Sequence, residues 1–146
     1  MRTQKFITKS ERETIQLGKK LSRNFRGGQT VALIGELGSG KTVLIKGMAQ
    51  GLGIKKIITS PTFVLMKVYK IENCKLKIEN LVHVDAYRLK SGQDLIDIGI
   101  KDWLEKPDTV TVIEWAERVK DILPKKTIVI KLNFGKKKNE RVIEIK

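Results

Sequence analysis

The sequence predicts a three-layer α/β domain, in which helices cover both faces of a mixed, largely parallel central sheet. Two observations support this fold class. Short apolar runs typical of buried strands alternate along the chain with stretches of helical periodicity. Beyond residue 128, apolar residues occupy every second position, and a turn containing Gly135 connects two such stretches. This second pattern predicts an antiparallel hairpin at the C-terminal end.

The first half of the chain supplies helix, strand and helix patterns. Ser10 and Glu13 have capping-box spacing, and the apolar stripe that follows ends at residues 27–28, so we expect a helix to open the domain. Residues 30–34 form a short β-type run, and apolar positions between 43 and 52 recur at helical spacing. Residues 57–69 are largely apolar but contain Pro61, which predicts an irregular segment leading into a strand.

Strand and helix patterns also alternate in the second half of the chain. Residues 81–84 form a buried-strand pattern that ends at Asp85, and residues 91–104 indicate a loop followed by an amphipathic helix. Another apolar run at 110–113 ends at Glu114, and the helical pattern at 115–123 is closed by Pro124. The alternating segments at 128–134 and 142–145 complete the chain as hairpin strands.

Length and composition favour a single domain spanning residues 1–146. No apolar stretch approaches the roughly 18 residues that a membrane span requires, and the first residues lack the apolar core of a secretory signal. Cys74 is the only cysteine, so no internal disulfide is expected, which fits a reducing compartment. We therefore expect a cytoplasmic protein without a membrane partner.

The formal net charge of +14 suggests a polyanionic partner. A field of this size attracts nucleic acid, so a tRNA contact through a basic surface is one interpretation. The other is that lysines are scattered over a solvated surface without a specific role. The dense run at 136–138 falls in a predicted turn without interleaved aromatic residues. Charge alone leaves both interpretations open.

The sequence GELGSGKT at residues 35–42 matches the phosphate-binding P-loop pattern G-x-x-x-x-G-K-[ST]. Its glycines let the backbone turn N–H groups around a phosphate, and the positive end of the following helix adds a favourable dipole. Lys41 can reach the β- and γ-phosphates, and the Thr42 hydroxyl is placed to ligate Mg²⁺. Because the motif lies between a predicted strand and a predicted helix, the fold is expected to be P-loop NTPase-like, with ATP or ADP and Mg²⁺ as cofactors.

A P-loop site also needs an acid at the carboxyl end of a neighbouring strand, because phosphate-bound Mg²⁺ must be held directly or through water. Asp85 and Glu114 both end predicted strands. Taken alone, each is equally well explained as a helix cap or a surface acid. Together with the P-loop, they predict a metal site with Thr42 and Glu114 as inner ligands and Asp85 holding a metal-bound or attacking water. Lys41, Asp85 and Glu114 are the predicted catalytic residues.

Residues 59–63, TSPTF, lie between the P-loop helix and the Asp85 strand, where switch loops that respond to the γ-phosphate are found. Ser60 or Thr62 could donate to the γ-phosphate. Ser-Pro is also an ordinary turn sequence, and the two interpretations have similar weight.

Four other polar and aromatic residues have structural interpretations. His83, the only histidine, is interpreted as a packed strand residue rather than a base. Arg88 could pair with Asp85 or approach the phosphates, and a structural ion pair with Asp85 is the favoured interpretation. Trp103 and Trp115 are expected to be core or site-wall residues.

Four sequence blocks together resemble the TsaE family. They are GELGSGKT at 35–42, SPTF at 60–63, HVDAYRL at 83–89 and IEWAER at 113–118. The order and the spacing of the blocks are similar to those of the family, and the resemblance covers nearly the whole chain.

The resemblance implies an ATPase needed for the threonylcarbamoyl modification of the adenosine next to the anticodon in tRNA. Such a protein acts with two partners, one of which is the transferase, and does not carry out the transfer itself. No arginine of this chain is evidently placed to stabilise the charge of the transition state. Hydrolysis is therefore predicted to be slow alone and faster with the partners.

The resemblance also implies roles for individual residues. Thr42 and Glu114 would bind Mg²⁺, with Asp85 as the second acid, and Ser60 and Thr62 would form the switch. By position only, the region from Ser10 to Thr14 would border the adenine. The phosphates would be bound by Leu37, Gly38, Ser39, Gly40, Lys41 and Thr42.

Two other functions are compatible with a P-loop. A small-molecule kinase would need an acceptor pocket and an arginine-rich lid, and no such lid is evident in the sequence. A nucleotide-gated RNA-binding module, in which ATP controls RNA affinity, is supported by the net charge of +14.

Overall fold

The computed structural model of the chain describes residues 3–72 and 75–146, so Cys74 lies outside the described residues. The strands in these ranges are β1 (Gln4–Thr8), β2 (Thr30–Ile34), β3 (Met66–Lys70), β4 (Asn80–Asp85), β5 (Thr109–Glu114), β6 (Ile128–Phe134) and β7 (Arg141–Ile145). The helices are α1 (Glu11–Ser22), α2 (Lys41–Gly51) and α3 (Gly92–Asp97), with 3₁₀ helices at Ile100–Asp102 and Ala116–Ile122. Within the described part of the chain, no helix is both long and apolar enough to cross a bilayer.

The described strands form one mixed sheet in the order β1-β7-β6-β2-β5-β4-β3. The four central strands β6, β2, β5 and β4 are parallel, whereas β3, β7 and β1 pair antiparallel with their neighbours at the two edges. All residues of β4 and β5 are buried, as expected for parallel strands covered on both faces. The mixed, largely parallel sheet and the β6–β7 hairpin are therefore confirmed.

Side chains of alternate strand residues pack into two apolar layers, one on each face of the sheet. Val31 and Leu33 point toward the layer that includes Leu17 of α1 and Leu44 of α2. Ala32 points to the opposite layer, which contains residues of α3 and of both 3₁₀ helices. The sheet is thus covered on both faces, and the predicted three-layer arrangement is confirmed.

Close packing of α1 against α2 fixes the position of the second helix. A methyl group on Gly18 of α1 would overlap the carbonyl oxygen of Leu44, and one on Gly47 of α2 would overlap that of Ile15. Glycine at both positions lets the two backbones approach closely. Because α2 follows directly from residues 35–40, this packing also fixes the end of that loop.

The start of the chain differs from the prediction. Strand β1 precedes α1, so the expectation that a helix opens the domain was wrong. β1 lies at the sheet edge and pairs with β7 alone, and Thr8 is its one fully buried residue. The segment therefore lacks the apolar run by which buried strands are recognised. The capping box is confirmed, because Ser10 Oγ accepts a hydrogen bond of 3.1 Å from the backbone N–H of Glu13.

The helical pattern predicted at 115–123 is present as 3₁₀ rather than α structure. Ala116–Ile122 is interrupted at Val119, where φ is −130° and ψ is 30°. The preceding residue, Trp115, has a φ of 58°, which is unusual for a side chain of this size. This turn immediately follows Glu114 and directs the chain away from the end of β5.

Candidate functional site

The carboxyl ends of β2, β4 and β5 border a cavity of about 450 Å³. β2 leads through residues 35–40 into α2, while β4 and β5 end at Asp85 and Glu114, which are register partners. The sheet therefore brings the P-loop and both strand-end acids to one opening. The cavity is lined by Glu11, Leu37, Gly38, Gly40, Lys41, Thr42, Val43, Ser60, Thr62, Asp85, Tyr87, Glu114 and Trp115.

Residues 35–40 form a glycine-dependent loop at the start of α2. Gly38 and Gly40 have φ values of 81° and 100°, in the left-handed region that glycine adopts at little cost. Gly40 is the N-cap of α2, and no side chain accepts a hydrogen bond there. The first backbone N–H groups of α2 thus end at the cavity with the positive pole of the helix, an arrangement that binds anions.

Two predicted phosphate-binding side chains have opposite environments. The side chain of Leu37 is 75% exposed at the tip of the loop, whereas Ser39 is fully buried beneath it. Ser39 Oγ lies 3.5 Å from Lys41 Nζ. Any contact of Leu37 or Ser39 with a phosphate therefore falls to their backbone rather than to their side chains.

Lys41 is folded back onto the loop and is only 5% exposed. Its ammonium group donates to the carbonyl oxygens of Gly35 and, at 3.0 Å, Glu36, and lies 4.2 Å from the ring centre of Trp115. Burial lowers the pKa of Lys41 from its usual value of 10.5, an effect that nearby carboxylates, foremost Glu114, oppose. Lys41 is thus a partly desolvated cation that a bound anion would stabilise.

Glu114 links the P-loop to the interior of the sheet. Its Oε1 accepts a hydrogen bond of 2.9 Å from the Thr42 hydroxyl, and its Oε2 lies 2.6 Å from Nε2 of His83. His83 is completely buried, and its Nδ1 has no hydrogen-bond partner in the described part of the chain. A proton on Nε2 therefore satisfies the geometry, and the imidazole donates to the carboxylate. His83 is packed within a strand, as expected, but it also contacts the site.

Asp85 holds residues 60–62 at the end of β4 through hydrogen bonds. Its Oδ2 accepts hydrogen bonds from Ser60 Oγ at 2.7 Å and from Thr62 Oγ1 at 2.9 Å, and its Oδ1 accepts from the backbone N–H of Tyr87 at 2.9 Å. The two hydroxyl groups are 3.0 Å apart. Both predicted switch residues thus face the cavity but are bonded to the acid of β4.

A second, smaller cavity of about 70 Å³ adjoins the first on the side of α1. Thr14 lines it and is itself buried, with its hydroxyl 2.7 Å from that of Thr8. Ser10 lines neither cavity, and its hydroxyl caps α1. The structure therefore brings Thr14 to the site and places Ser10 beside it.

Arg141 is a site residue that the sequence does not reveal. Its guanidinium donates to the Gly38 carbonyl at 3.1 Å and to the carbonyls of Lys138 and Glu140 at 3.0 and 2.9 Å. It therefore clamps the hairpin turn to the P-loop. The two contacting residues are 103 positions apart, so no local pattern links them.

Aromatic residues form one wall of the larger cavity. Tyr87 and Trp115 both line it, with their ring centres 4.9 Å apart. Trp115 was expected in the core or the site wall, and it contributes to both. The role of Tyr87 was not predicted, although its position two residues after Asp85 was a usable signal. Trp103 lies away from this cavity and packs against the apolar layer beneath α3.

The expected ion pair between Arg88 and Asp85 is wrong. The Arg88 guanidinium instead lies 4.3 Å from the ring centre of Phe63. Hydrogen bonds from Ser60, Thr62 and the Tyr87 N–H already occupy the Asp85 carboxylate. Arg88 consequently packs on the exposed aromatic ring, where it keeps its charge in solvent.

The donor set at the cavity fits a magnesium ion better than a metal held by protein alone. Within the described residues, no three His, Cys, Asp or Glu side chains are grouped to hold a metal ion. The available ligands are the Thr42 hydroxyl and the Glu114 carboxylate, which are already 2.9 Å apart. Mg²⁺ commonly takes one or two such oxygens, with substrate phosphates and water completing its shell.

Comparison with known proteins identifies one family. The family model described as "Threonylcarbamoyl adenosine biosynthesis protein TsaE" matches residues 8–143. The chain is 42% identical to the tRNA threonylcarbamoyladenosine biosynthesis protein TsaE of Treponema pallidum, over 86% of this chain and 88% of that protein. It is 32% identical to the TsaE of Bacillus subtilis, over 89% and 77% of the two chains. The crystal structure of YdiB from Bacillus subtilis covers 99% of this chain and 84% of its own, with a TM-score of 0.79 and 28% identity.

Proposed function

Because the chain belongs to the TsaE family of tRNA threonylcarbamoyladenosine biosynthesis proteins, we propose that it binds and hydrolyses ATP in that modification. The modified base is the adenosine next to the anticodon. The chain acts in the cytoplasm, as one P-loop domain over residues 1–146, with the transferase and a second protein of the pathway. It does not transfer the threonylcarbamoyl group itself.

One observation carries the ATPase proposal. The Thr42 hydroxyl of the P-loop donates at 2.9 Å to Glu114 at the end of the adjacent parallel strand. A P-loop Thr and a strand-end acid in contact form the ligand pair that P-loop NTPases use for phosphate-bound Mg²⁺.

The P-loop supplies the phosphate site. The backbone N–H groups of residues 37–42 surround the phosphates at the positive end of α2. Lys41 leaves the carbonyls of Gly35 and Glu36 and turns its ammonium group toward the β- and γ-phosphates. The phosphate charge then compensates the desolvated cation, which strengthens binding because the side chain is nearly buried.

Thr42 and Glu114 would hold Mg²⁺, and Asp85 would act through a water molecule. The ion supplies neutralisation of the charge on the phosphates. Asp85, on the neighbouring strand, faces the same cavity and positions the water that attacks the γ-phosphate. The adenine base of ATP extends toward the smaller cavity near Thr14, beyond the N-cap residue Ser10.

Hydrolysis without the partner proteins is slow. Among the described residues, none of those lining the main cavity is an arginine. Arg141 donates to three carbonyl groups, and Arg88 packs on Phe63. The Arg118 guanidinium packs on the cavity-wall residues Tyr87 and Trp115, 5.4 and 5.5 Å from their ring centres. The charge that develops on the transferred phosphoryl group therefore meets no arginine among the described residues that line the main cavity. Partner proteins accelerate hydrolysis by releasing Ser60 and Thr62 from Asp85 toward the γ-phosphate.

The test is ATP turnover by the chain alone and with its two partner proteins, together with threonylcarbamoyl formation on unmodified tRNA. Glu114→Gln should reduce both activities at least tenfold. Its matched control is Glu144→Gln, which removes an equal charge from β7, away from the cavity. Rapid turnover by the chain alone, unchanged by the partners, would refute the partner-dependent mechanism.

A second candidate is a nucleotide-gated RNA-binding module, favoured by the net charge of +14. In that case ATP would alter tRNA affinity, while turnover would be dispensable for modification. Glu114→Gln with normal ATP affinity and normal tRNA modification would favour this function over the ATPase. A phosphorylated small-molecule product would instead indicate a kinase.

A further inference from the structure

A groove lined by lysines lies beyond the end of α2 that is remote from the P-loop. Two adjoining depressions of about 460 and 570 Å³ share residues 53–56, between the loop after α2 and the end of β3. We define this basic groove by Lys46, Lys55, Lys56, Lys70 and Glu72. α2 has 11 residues, so its two ends are roughly 16 Å apart at 1.5 Å per residue. The basic groove is thus distinct from the nucleotide cavity.

The groove lysines form no ion pair with the described acids, although Lys70 also borders a separate depression that Glu79 and Asp108 line. Ion pairs between the described residues are limited to His83–Glu114 and Lys106–Asp108, so none of the four groove lysines has an acidic partner. Among the residues that the structure describes, Glu72 is the one acid that lines the groove. Lys55, Lys56 and Lys70 are exposed, and Lys46 is half-buried on α2. Four lysines and one glutamate therefore line the two adjoining depressions.

The lining of the basic groove matches a phosphate backbone better than nucleotide bases. No aromatic side chain lines either depression, so a base-stacking platform is absent from the described groove residues. Lysine is a point charge with three donors and binds phosphate oxygens without reading sequence. Ile57, which is 86% exposed at the groove edge, offers an apolar contact for a ribose.

We propose that the basic groove binds the phosphodiester backbone of tRNA. The choice of tRNA as the polyanion rests on the proposed function, whereas the location rests on the unpaired lysines. A strand of nucleic acid can enter a concave groove, while a planar bilayer engages a convex basic face. The groove would hold the tRNA on the side of the protein opposite the nucleotide, leaving the P-loop cavity open.

The experiment measures binding of fluorescently labelled, unmodified tRNA by anisotropy between about 50 and 200 mM NaCl. The groove variant Lys55→Gln/Lys56→Gln/Lys70→Gln is compared with the control Lys136→Gln/Lys137→Gln/Lys138→Gln in the exposed hairpin turn. Both variants lose three formal charges. The groove variant should bind at least tenfold more weakly, and its salt dependence should fall by about 0.7 to 0.9 in logarithmic slope for each lost lysine contact. The control should stay close to wild type.

Equal losses in the two variants would overturn the proposal, because net charge rather than the groove would then determine binding. Unchanged tRNA binding by the groove variant would also overturn it. So would a wild type that binds vesicles of phosphatidylserine and phosphatidylcholine through these lysines but does not bind tRNA. The substituted side chains are exposed, so the fold should be retained, and a thermal melt of each variant checks this. If a triple variant melts at a lower temperature than wild type, the three single Lys→Gln variants are measured in its place.

Binding of a fluorescent ATP analogue is measured on the same proteins. The groove variant should retain the affinity of wild type for the analogue, because none of its substituted residues lines the P-loop cavity. Failure of the groove proposal would thus appear in tRNA binding alone. Failure of the proposed function would appear in nucleotide binding and turnover of the wild type.

Discussion

His83 Nε2 lies 2.6 Å from Glu114 Oε2, in a buried contact between the adjacent strands β4 and β5. The other carboxylate oxygen of Glu114 accepts the Thr42 hydroxyl at 2.9 Å. The carboxyl group is therefore held at both oxygens. Turning it would leave a buried polar group unpaired, at a cost of about 1–3 kcal/mol. His83 acts as a positioning residue for the acid that we propose as a Mg²⁺ ligand.

His83→Leu should raise the Mg²⁺ concentration needed for half-maximal ATP turnover about tenfold, because the partners of ligating side chains tune metal affinity. His83→Gln, which can still donate to Glu114, should restore part of the loss. Nucleotide binding in the presence of EDTA should remain unchanged in both. A leucine variant that melts earlier but keeps the wild-type Mg²⁺ requirement would reduce His83 to a packing role.

Lys41→Ala should weaken ATP binding about 10- to 100-fold, since a hydrogen bond to a charged group is worth about 1.5–3 kcal/mol. Lys46→Ala is the matched control, because it removes the same charge from the same helix but does not line the nucleotide cavity. Equilibrium titration with a fluorescent ATP analogue measures both. Equal affinities of the two variants would argue against phosphate binding by Lys41.

Ser60→Ala/Thr62→Val removes both hydroxyl donors to Asp85. We expect residues 59–65 to exchange amide hydrogens faster, and partner-stimulated turnover to fall at least tenfold while ATP affinity changes little. Thr59→Val is the control, because its hydroxyl contacts Lys67 rather than Asp85. Normal stimulation in the double variant would exclude these hydroxyls from the response to the partners.

Gly18→Ala should destabilise the fold by about 1–3 kcal/mol, as overpacking of a close contact does. The added methyl group would meet the Leu44 carbonyl oxygen and force α1 away from α2. The expected fall in Tm is about 3–10 °C for a domain of this size. Lys20→Ala, at an exposed position of the same helix, should leave Tm nearly unchanged. A Gly18→Ala variant as stable as wild type would show that the helices can separate without cost.

The parts of the site encoded by short sequence segments were predictable. The P-loop, Asp85 and Glu114 could be placed because each lies where an apolar run ends, and parallel strands bring such ends together. The contacts of Arg141 with Gly38 and of His83 with Glu114 depend on strand order and register. These cannot be read from local periodicity, since either acid could have faced the histidine.

The two errors in the prediction concern the start of the chain and Arg88. β1 pairs through its backbone with β7 and buries little apolar surface, so its sequence gives a weak strand signal. Arg88 was assigned to Asp85 on proximity in sequence. Because Ser60 and Thr62 come from a distant segment to occupy that carboxylate, the guanidinium instead packs on Phe63.

The lowered pKa of Lys41 predicts a pH dependence of stability. Between the folded-state pKa and the unfolded value near 10.5, the unfolded chain binds more protons at Lys41 than the folded chain does. The contribution of this residue to the free energy of unfolding should therefore rise with pH across that interval. Below the folded-state pKa, Lys41 is charged in both states, and the full cost of burying the charge destabilises the folded chain. Urea denaturation of wild type and Lys41→Met measures the effect, since the other titrating groups cancel in the difference. Relative to the methionine variant, wild type should gain stability as the pH rises from neutral toward the unfolded-state pKa of 10.5. A constant or falling difference would mean that the ammonium group is well solvated, and that phosphate binding does not draw on a desolvated cation.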